Sequence, residues 1–261
     1  MSAPMTVKGI DPNLASIPFW REVLVELRKS VGTRGPWIVL GVLGLVWLGV
    51  CAVALSTGTL GSFGELLTSF GVMTRIFVGV LAILLVTSEW GQRSVVTAFT
   101  LEPRRERVLL AKLTAVAIGA AVIFAGMLVL TSLIVAIRGA SFADAADAIR
   151  GDGIRALFDV LMAFAIAIAI LNTAGAMVTY LVVPEVIVPT VLLLGSIGTT
   201  AGEGTLFEKV APWVYPRDAL SGIGQVAPDA QDWGQVLVCA VIWIGLPGLL
   251  GVYRVMTNEV K

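Results

Sequence analysis

Histidine is absent from this chain of 261 residues, and cysteine occurs only twice. Without an imidazole there is no ready general base, proton shuttle or nitrogen ligand, which removes Ser-His and Cys-His catalysis. Cys51 and Cys239 both fall inside apolar runs. Neither a disulfide framework nor a thiolate metal site follows from them, and both read as packing residues. Charge is scarce as well: 14% of residues are charged, against roughly a quarter in a soluble domain. The formal net charge is zero, so no electrostatic excess points to nucleic acid. No G-x-x-x-x-G-K-[ST] run occurs, which excludes a phosphate-cradling loop of that type. No internal repeat is visible.

What the chain has in abundance is apolar sequence, 57% of residues, with a mean hydropathy of +0.92. That balance predicts an all-α integral membrane protein with six transmembrane helices and no large soluble domain. The first span is read at Trp37 to Leu55; Ala52-Val53-Ala54 resembles a cleavage site, but the run is too long for a signal peptide. The second runs from about Phe70 to Ser88 and the third from Val108 to Ile137. A helix of that third length extends about 45 Å, more than a hydrocarbon core of about 30 Å, so part of it tilts or projects. Residues 156–199 hold two spans, with Asn172-Thr173-Ala174-Gly175 as the expected turn, and Pro184 and Pro189 interrupt the fifth. The sixth lies at about Gly234 to Tyr253. The transmembrane domain is thus 37–261, with polar outer loops at 138–155 and 200–233.

Residues 1–36 form the N-terminal segment. Within it, Trp20, Val23, Leu24, Leu27 and Val31 recur at helical spacing on one face, while Glu22, Glu26, Lys29 and Thr33 lie opposite. A basic amphipathic helix leading into a span reads as an interfacial elbow on the cytoplasmic leaflet; a soluble helix docked on a partner is the alternative. Six spans put both termini on one side. With the N-terminus cytoplasmic, the inner segments hold twelve basic residues and the outer segments five, Arg138, Arg150, Arg155, Lys209 and Arg217. That bias predicts an N-in, C-in orientation.

The loop between the second and third spans, SEWGQRSVVTAFTLEPRRERVLLAK, carries the most information. Taken alone, Arg104, Arg105 and Arg107 suit anionic membrane lipids and fix topology. The Glu89-Trp90 pair, Ser94-Val95 and the run Pro103-Arg104-Arg105-x-Arg107-Val108-Leu109-Leu110-Ala111-Lys112 resemble the membrane subunits of type 2 ABC exporters. Gly91 and Arg93 depart from the family's usual order of a basic residue followed by Gly. The resemblance extends in layout to the elbow, the six spans, the turn at Asn172 and a membrane-dipping outer segment before the last span. It implies a coupling helix within 89–107, with Glu89, Trp90, Arg93, Val95, Pro103, Arg104, Arg105 and Arg107 at the contact with a separate ATPase. It further implies two ATP-binding cassette subunits, which would hold ATP and Mg, a second permease copy or homologous permease, no cofactor on this chain and no catalysis by it. The setting implied is a cytoplasmic membrane, and the task ATP-driven export of an amphipathic or hydrophobic substrate such as a drug, lipid-linked molecule or peptide.

Glu185 reads as the only acid well inside a span. At mid-membrane it costs roughly 2.5–3.5 kcal/mol on insertion scales, so it needs a cavity, a partner or water. It is a candidate for the substrate pathway together with Asn172; the plainer reading is a hydrogen-bonded glutamate that steadies a proline-broken helix. Arg75 is expected to snorkel to the outer interface. A stand-alone ion-coupled carrier is disfavoured by the single intramembrane acid and the lack of histidine, and a non-catalytic membrane scaffold is the other alternative. Leu194-Gly195-Ser196-Ile197-Gly198 faintly resembles an intramembrane serine protease site, but no base accompanies it.

Overall fold

The computed structural model describes residues 18–57, 61–91, 104–197, 205–224 and 228–257. Among them, six helices are long and apolar enough to cross a membrane. After α1 (Phe19–Gly32) come α2 (Arg34–Thr57), α3 (Phe63–Gly91), α4 (Arg105–Arg138), α5 (Ala145–Ile170) and α6 (Thr173–Gly195). Two short helices, α7 (Leu206–Val214) and α8 (Pro216–Ala219), precede the last span, α9 (Ala230–Thr257). This is the all-α membrane architecture expected from composition.

Two spans form the centre. About half of the apolar stretch of α3 (50%) and of α5 (56%) is buried, against 11–22% for the other four, so α3 and α5 are the pair around which the rest pack. Their contact is close because glycine sits where a side chain would collide. A Cβ at Gly64 would fall 2.6 Å from the Asp144 carboxylate, and the Gly64 N–H donates to that carboxylate at 3.0 Å. Further along α3, a Cβ at Gly71 would fall 3.3 Å from the Asp152 carboxylate of α5, and Gly79 makes room for the buried ring of Tyr180 on α6. Elsewhere the outward faces are apolar: Leu45, Leu48, Val122, Val129, Leu237 and Leu249 are all more than 60% exposed, the pattern of helices whose solvent is hydrocarbon.

The structure moves three boundaries. Residues 145–155, read as loop, are the first turns of α5, so Asp152, Arg155 and Asp159 belong to a spanning helix. The expected turn at Asn172–Gly175 shrinks to Leu171 and Asn172. Leu171 takes a left-handed conformation (φ 56°) and its N–H donates to the Ala167 carbonyl, closing α5. Asn172 then caps α6 by accepting from the Gly175 N–H at 2.9 Å. Finally, α4 reaches further than expected at its start, from Arg105, and ends on Gly139 at φ 63°, the usual helix stop.

α1 packs on the bundle by a face that mixes apolar and charged residues. Val23 is buried, but so is Glu26, while Trp20 and Val31 are exposed. Val23 packs with Ala111 and Ala115 of α4. The acids of α1 do not face solvent: Glu22 pairs with Arg107 at 2.9 Å and Glu26 with Lys112 at 2.8 Å. A wholly apolar inner stripe is the rule in water; against lipid, buried charge pairs face in and apolar side chains face out.

Candidate functional site

Both prolines of the fifth span, Pro184 and Pro189, lack an N–H for the helical ladder. α6 absorbs the interruption as a π turn at Val183–Ile187, and Glu185 sits within it. α9 has a second π turn at Val241–Gly245, just before Pro247. Single π turns of this kind recur at functional sites, where they re-aim a side chain.

The segment between α6 and α9 enters the bundle. The Phe207 N–H donates to the Ser196 hydroxyl at the end of α6 (3.0 Å), while the Tyr215 hydroxyl donates to Glu185 at 3.3 Å. Thus α7 descends alongside the second half of α6, with Ala211 and Tyr215 packed on Leu192. Its carbonyl end is held by α9: the Trp243 indole donates to the Val214 carbonyl at 2.8 Å. A Thr205/Glu208 capping box starts α7, and an Asp229/Asp232 box starts α9. Non-spanning backbone at this depth is stable because protein covers it.

At the bottom of that descent lies a cleft of about 340 Å³, walled by α3, α5, α6 and α8. Arg75, Arg155, Asp159, Tyr180, Glu185 and Arg217 supply its polar lining. Arg75, Asp159 and Glu185 are each at least ten residues from either end of their helices, about 15 Å along the axis, so the cleft is at mid-height. Arg75 does not snorkel. Its guanidinium reaches Asp152 at 3.1 Å and Asp159 at 3.2 Å, and Asp152 also meets Arg155 at 3.2 Å. Asp152 is 1% exposed, which makes it the buried hub joining two arginines. Tyr180 donates to the Arg75 carbonyl at 3.3 Å.

Of the residues singled out in sequence, Glu185 is in this cleft and Asn172 is not; Asn172 caps α6 at one end of the bundle. Asp152, Arg155, Asp159 and Tyr180 were not among the site candidates: Asp152 and Arg155 fall in the stretch read as an outer loop, and Asp159 and Tyr180 in the stretch read as spans. A helical reading of 145–155 would have put Asp152, Arg155 and Asp159 on one face at spacings of three and four.

The second charged region is at the start of α4. Arg93, Val95 and Pro103 lie outside the described residues, as do the side chains of Glu89 and Trp90. Arg105 donates to the Val255 and Met256 carbonyls at the end of α9 (2.7 and 3.3 Å), and Arg107 and Lys112 hold α1. At the same end Arg254 of α9 donates to the Ala169 carbonyl of α5, and the Thr87 and Thr173 hydroxyls join α3 to α6 at 2.8 Å. Cations at the carbonyl ends of α5 and α9 are well placed against the helix dipole. Among the described residues no group of His, Cys, Asp and Glu is arranged to hold a metal ion. No protein-family model matches the chain, and no curated protein matches it in sequence.

Proposed function

We propose that this chain is the permease subunit of an ATP-driven exporter of the type 2 ABC class, moving an amphipathic or hydrophobic substrate across a cytoplasmic membrane. Both termini are cytoplasmic in this reading, and α1 lies on that face with Trp20 and Val31 toward lipid, as Trp37 is at the start of α2. Hydrolysis belongs to two separate cassette subunits that hold ATP and Mg, and a second permease completes the path. The chain itself catalyses nothing.

The observation that carries the reading is the run Pro103 to Lys112 together with its attachments. The residues that resemble the family's motif open α4, and from there side chains reach α1 through Glu22 and Glu26 and α9 through its last carbonyls. A displacement of the start of α4 by a partner would therefore be passed to three helices at once. This suits a lever driven from outside the bundle. The re-entrant α7–α8 segment and the mid-height cleft suit a path for polar groups.

The test is purification of the full chain from its native membrane followed by transport in sealed vesicles. Co-purification of an ATP-hydrolysing subunit, and efflux that stops without ATP, are expected. Glu89→Ala, or Arg104→Ala with Arg105→Ala, should leave the chain in the membrane and uncouple hydrolysis from transport. Normal transport by the well-expressed double variant would end the lever role. A stand-alone carrier gains one point from the structure, the ionisable group of Arg75, Asp152, Asp159 and Glu185 inside the spans. Proton-driven transport by the chain alone would establish that reading and remove the first.

A further inference from the structure

The charges around the mid-height cleft balance in number but are not used alike. Arg75, Arg155, Asp152 and Asp159 pair among themselves at 3.1–3.2 Å. Glu185 and Arg217 stand apart: among the described residues neither has an opposite charge within 4.0 Å. Both are exposed where the cleft opens. Tyr215 sits between them, its hydroxyl donating to Glu185 at 3.3 Å and also meeting the Arg217 side chain. The anion and the cation are thus more than 4.0 Å apart, with one tyrosine between them.

Charge at this depth needs an answering charge or water. A cationic ligand would satisfy Glu185 but meet Arg217 and Arg155, and an anionic ligand would have the reverse difficulty with Glu185 and Asp159. A ligand that carries both signs a few ångströms apart answers both residues and leaves the cleft neutral. The neighbouring surface is apolar: Val186 and Ile187 follow Glu185 on α6 and are 54% and 47% exposed, and Ile76 borders the cleft from α3. The volume, about 340 Å³, is at the lower end for small-molecule sites, enough for a head group and not for a chain-bearing molecule.

We infer that the cleft binds a zwitterionic amphiphile, its ammonium on Glu185, its acidic group on Arg217 and its hydrocarbon outside, along Val186, Ile187 and Ile76. The permease reading is needed only to make this ligand the cargo; binding stands without it.

Binding is measured on the purified full chain in detergent by native mass spectrometry, with equal amounts of phosphatidylethanolamine, phosphatidylglycerol and a trimethylammonium lipid of the same chains. Phosphatidylethanolamine should be retained about tenfold over either singly charged lipid, as expected for one additional charge-assisted hydrogen bond. Glu185→Gln should remove the preference over phosphatidylglycerol, and Arg217→Gln the preference over the trimethylammonium lipid. Val72→Trp, which fills the cleft from α3 and alters no charge, should lower retention of phosphatidylethanolamine while the melting temperature stays near that of the wild type. Equal retention of the three lipids, or a preference that survives both Glu185→Gln and Arg217→Gln, would overturn the inference. So would loss of preference in only one variant, which marks a ligand of single charge. Competition by a short apolar peptide with free termini would identify non-lipid zwitterions as ligands, and its failure would identify lipid; both results keep the zwitterion. Selective binding without ATP-dependent efflux would count against the permease reading alone, and ATP-dependent efflux without selective binding against this one alone.

Discussion

At the start of α4 both acids of α1 find basic partners, Glu22 on Arg107 and Glu26 on Lys112, whereas at the mouth of the cleft Glu185 and Arg217 have a tyrosine between them and, among the described residues, no ion pair. The first arrangement is closed. Each charge is neutralised within the chain, and Lys112 and Glu26 are almost wholly buried (4% and 7% exposed), so the pairs act as braces between helices. The second is open, with charge held at a depth where it is costly and turned toward space. The difference teaches that a charged residue within a span is not by itself a pointer to function. Arg75 and Glu185 looked alike in sequence, each a lone charge in an apolar run. One is locked into a buried network and the other is presented at an opening.

The comparison breaks most visibly at Asp152, the hub of the closed network inside the cleft wall. Asp152→Ala takes from Arg75 one of its two carboxylates and from Arg155 the carboxylate it pairs with, in a setting where the arginines are only 19% and 21% exposed, at an expected cost of about 3–5 kcal/mol. Unfolding in detergent would register it as loss of the folded fraction, and a change under about 1 kcal/mol would place the network with exposed, weak pairs. Glu26→Gln should cost about 3 kcal/mol for the same reason, with Lys112 the stranded charge. Exchanging the pair, Glu26→Lys with Lys112→Glu, should recover most of that loss if the contact is a brace. Failure of the exchange with both single variants equally unstable would show that packing around Ala111 and Ala115, not charge, holds α1. Gly79→Ala forces Tyr180 away from α3, an overpacking expected to cost about 1–3 kcal/mol and to shift the cleft wall. Arg105→Ala gives up its bonds to the α9 carbonyls, a loss of about 1 kcal/mol; a hydrogen-exchange comparison should find faster exchange at the end of α9 and nowhere near the cleft.

The smallest effect is one of pH. Burial works against ionisation of Asp144, but hydrogen bonds from the Ser62 hydroxyl and from the Gly64, Asp144 and Phe63 backbone outweigh it and hold its pKa below 3.8. A folded-state pKa that is lowered adds stability above the ordinary value, and this stability disappears as the pH falls through the depressed one. Melting temperature followed from about pH 5 to about pH 3 should therefore fall less steeply in Asp144→Asn than in the wild type. Parallel curves would show that the link between α3 and α5 at this end does not depend on the carboxylate.

Most of the architecture was legible because lipid imposes a simple rule: long apolar runs span, and the six runs read from composition are the six long helices. The site was less legible, for two reasons that both follow from the same solvent. Residues 145–155 looked like a loop because Asp147, Arg150, Asp152 and Arg155 are polar. A spanning helix tolerates such residues where a neighbour supplies the opposite charge, and here Asp152 and Asp159 are matched by Arg75, 77 and 84 residues earlier in the chain. No local pattern carries that pairing. On α1 the apolar spacing was legible, but the partners of Glu22 and Glu26 lie 85 and 86 residues further on, where no local pattern shows them. Glu185 was found in sequence because a proline-flanked acid in a span stands out, while Arg217 counted only as one of the outer basic residues, its depth being set by the descent of α7.

The π turn at Val183–Ile187 also sets a register on which everything after it depends. It winds one more residue into the helix than an α turn would, and so fixes the phase between the half of α6 that bears Tyr180 and the half that bears Leu192. Removing one residue inside it, Val186 for instance, would let the stretch wind as α-helix, and the four residues left cover nearly the rotation that five cover in the π turn. Val188–Gly195 would keep its phase against Thr173–Val182, Leu192 would stay on α7, and Glu185 would be the side chain that is re-aimed. The same deletion in the regular turns before Val183 would rotate everything that follows by about 100° and carry Leu192 off α7, while the number of spans stayed at six. Loss of a residue is thus tolerated within the π turn and not beside it.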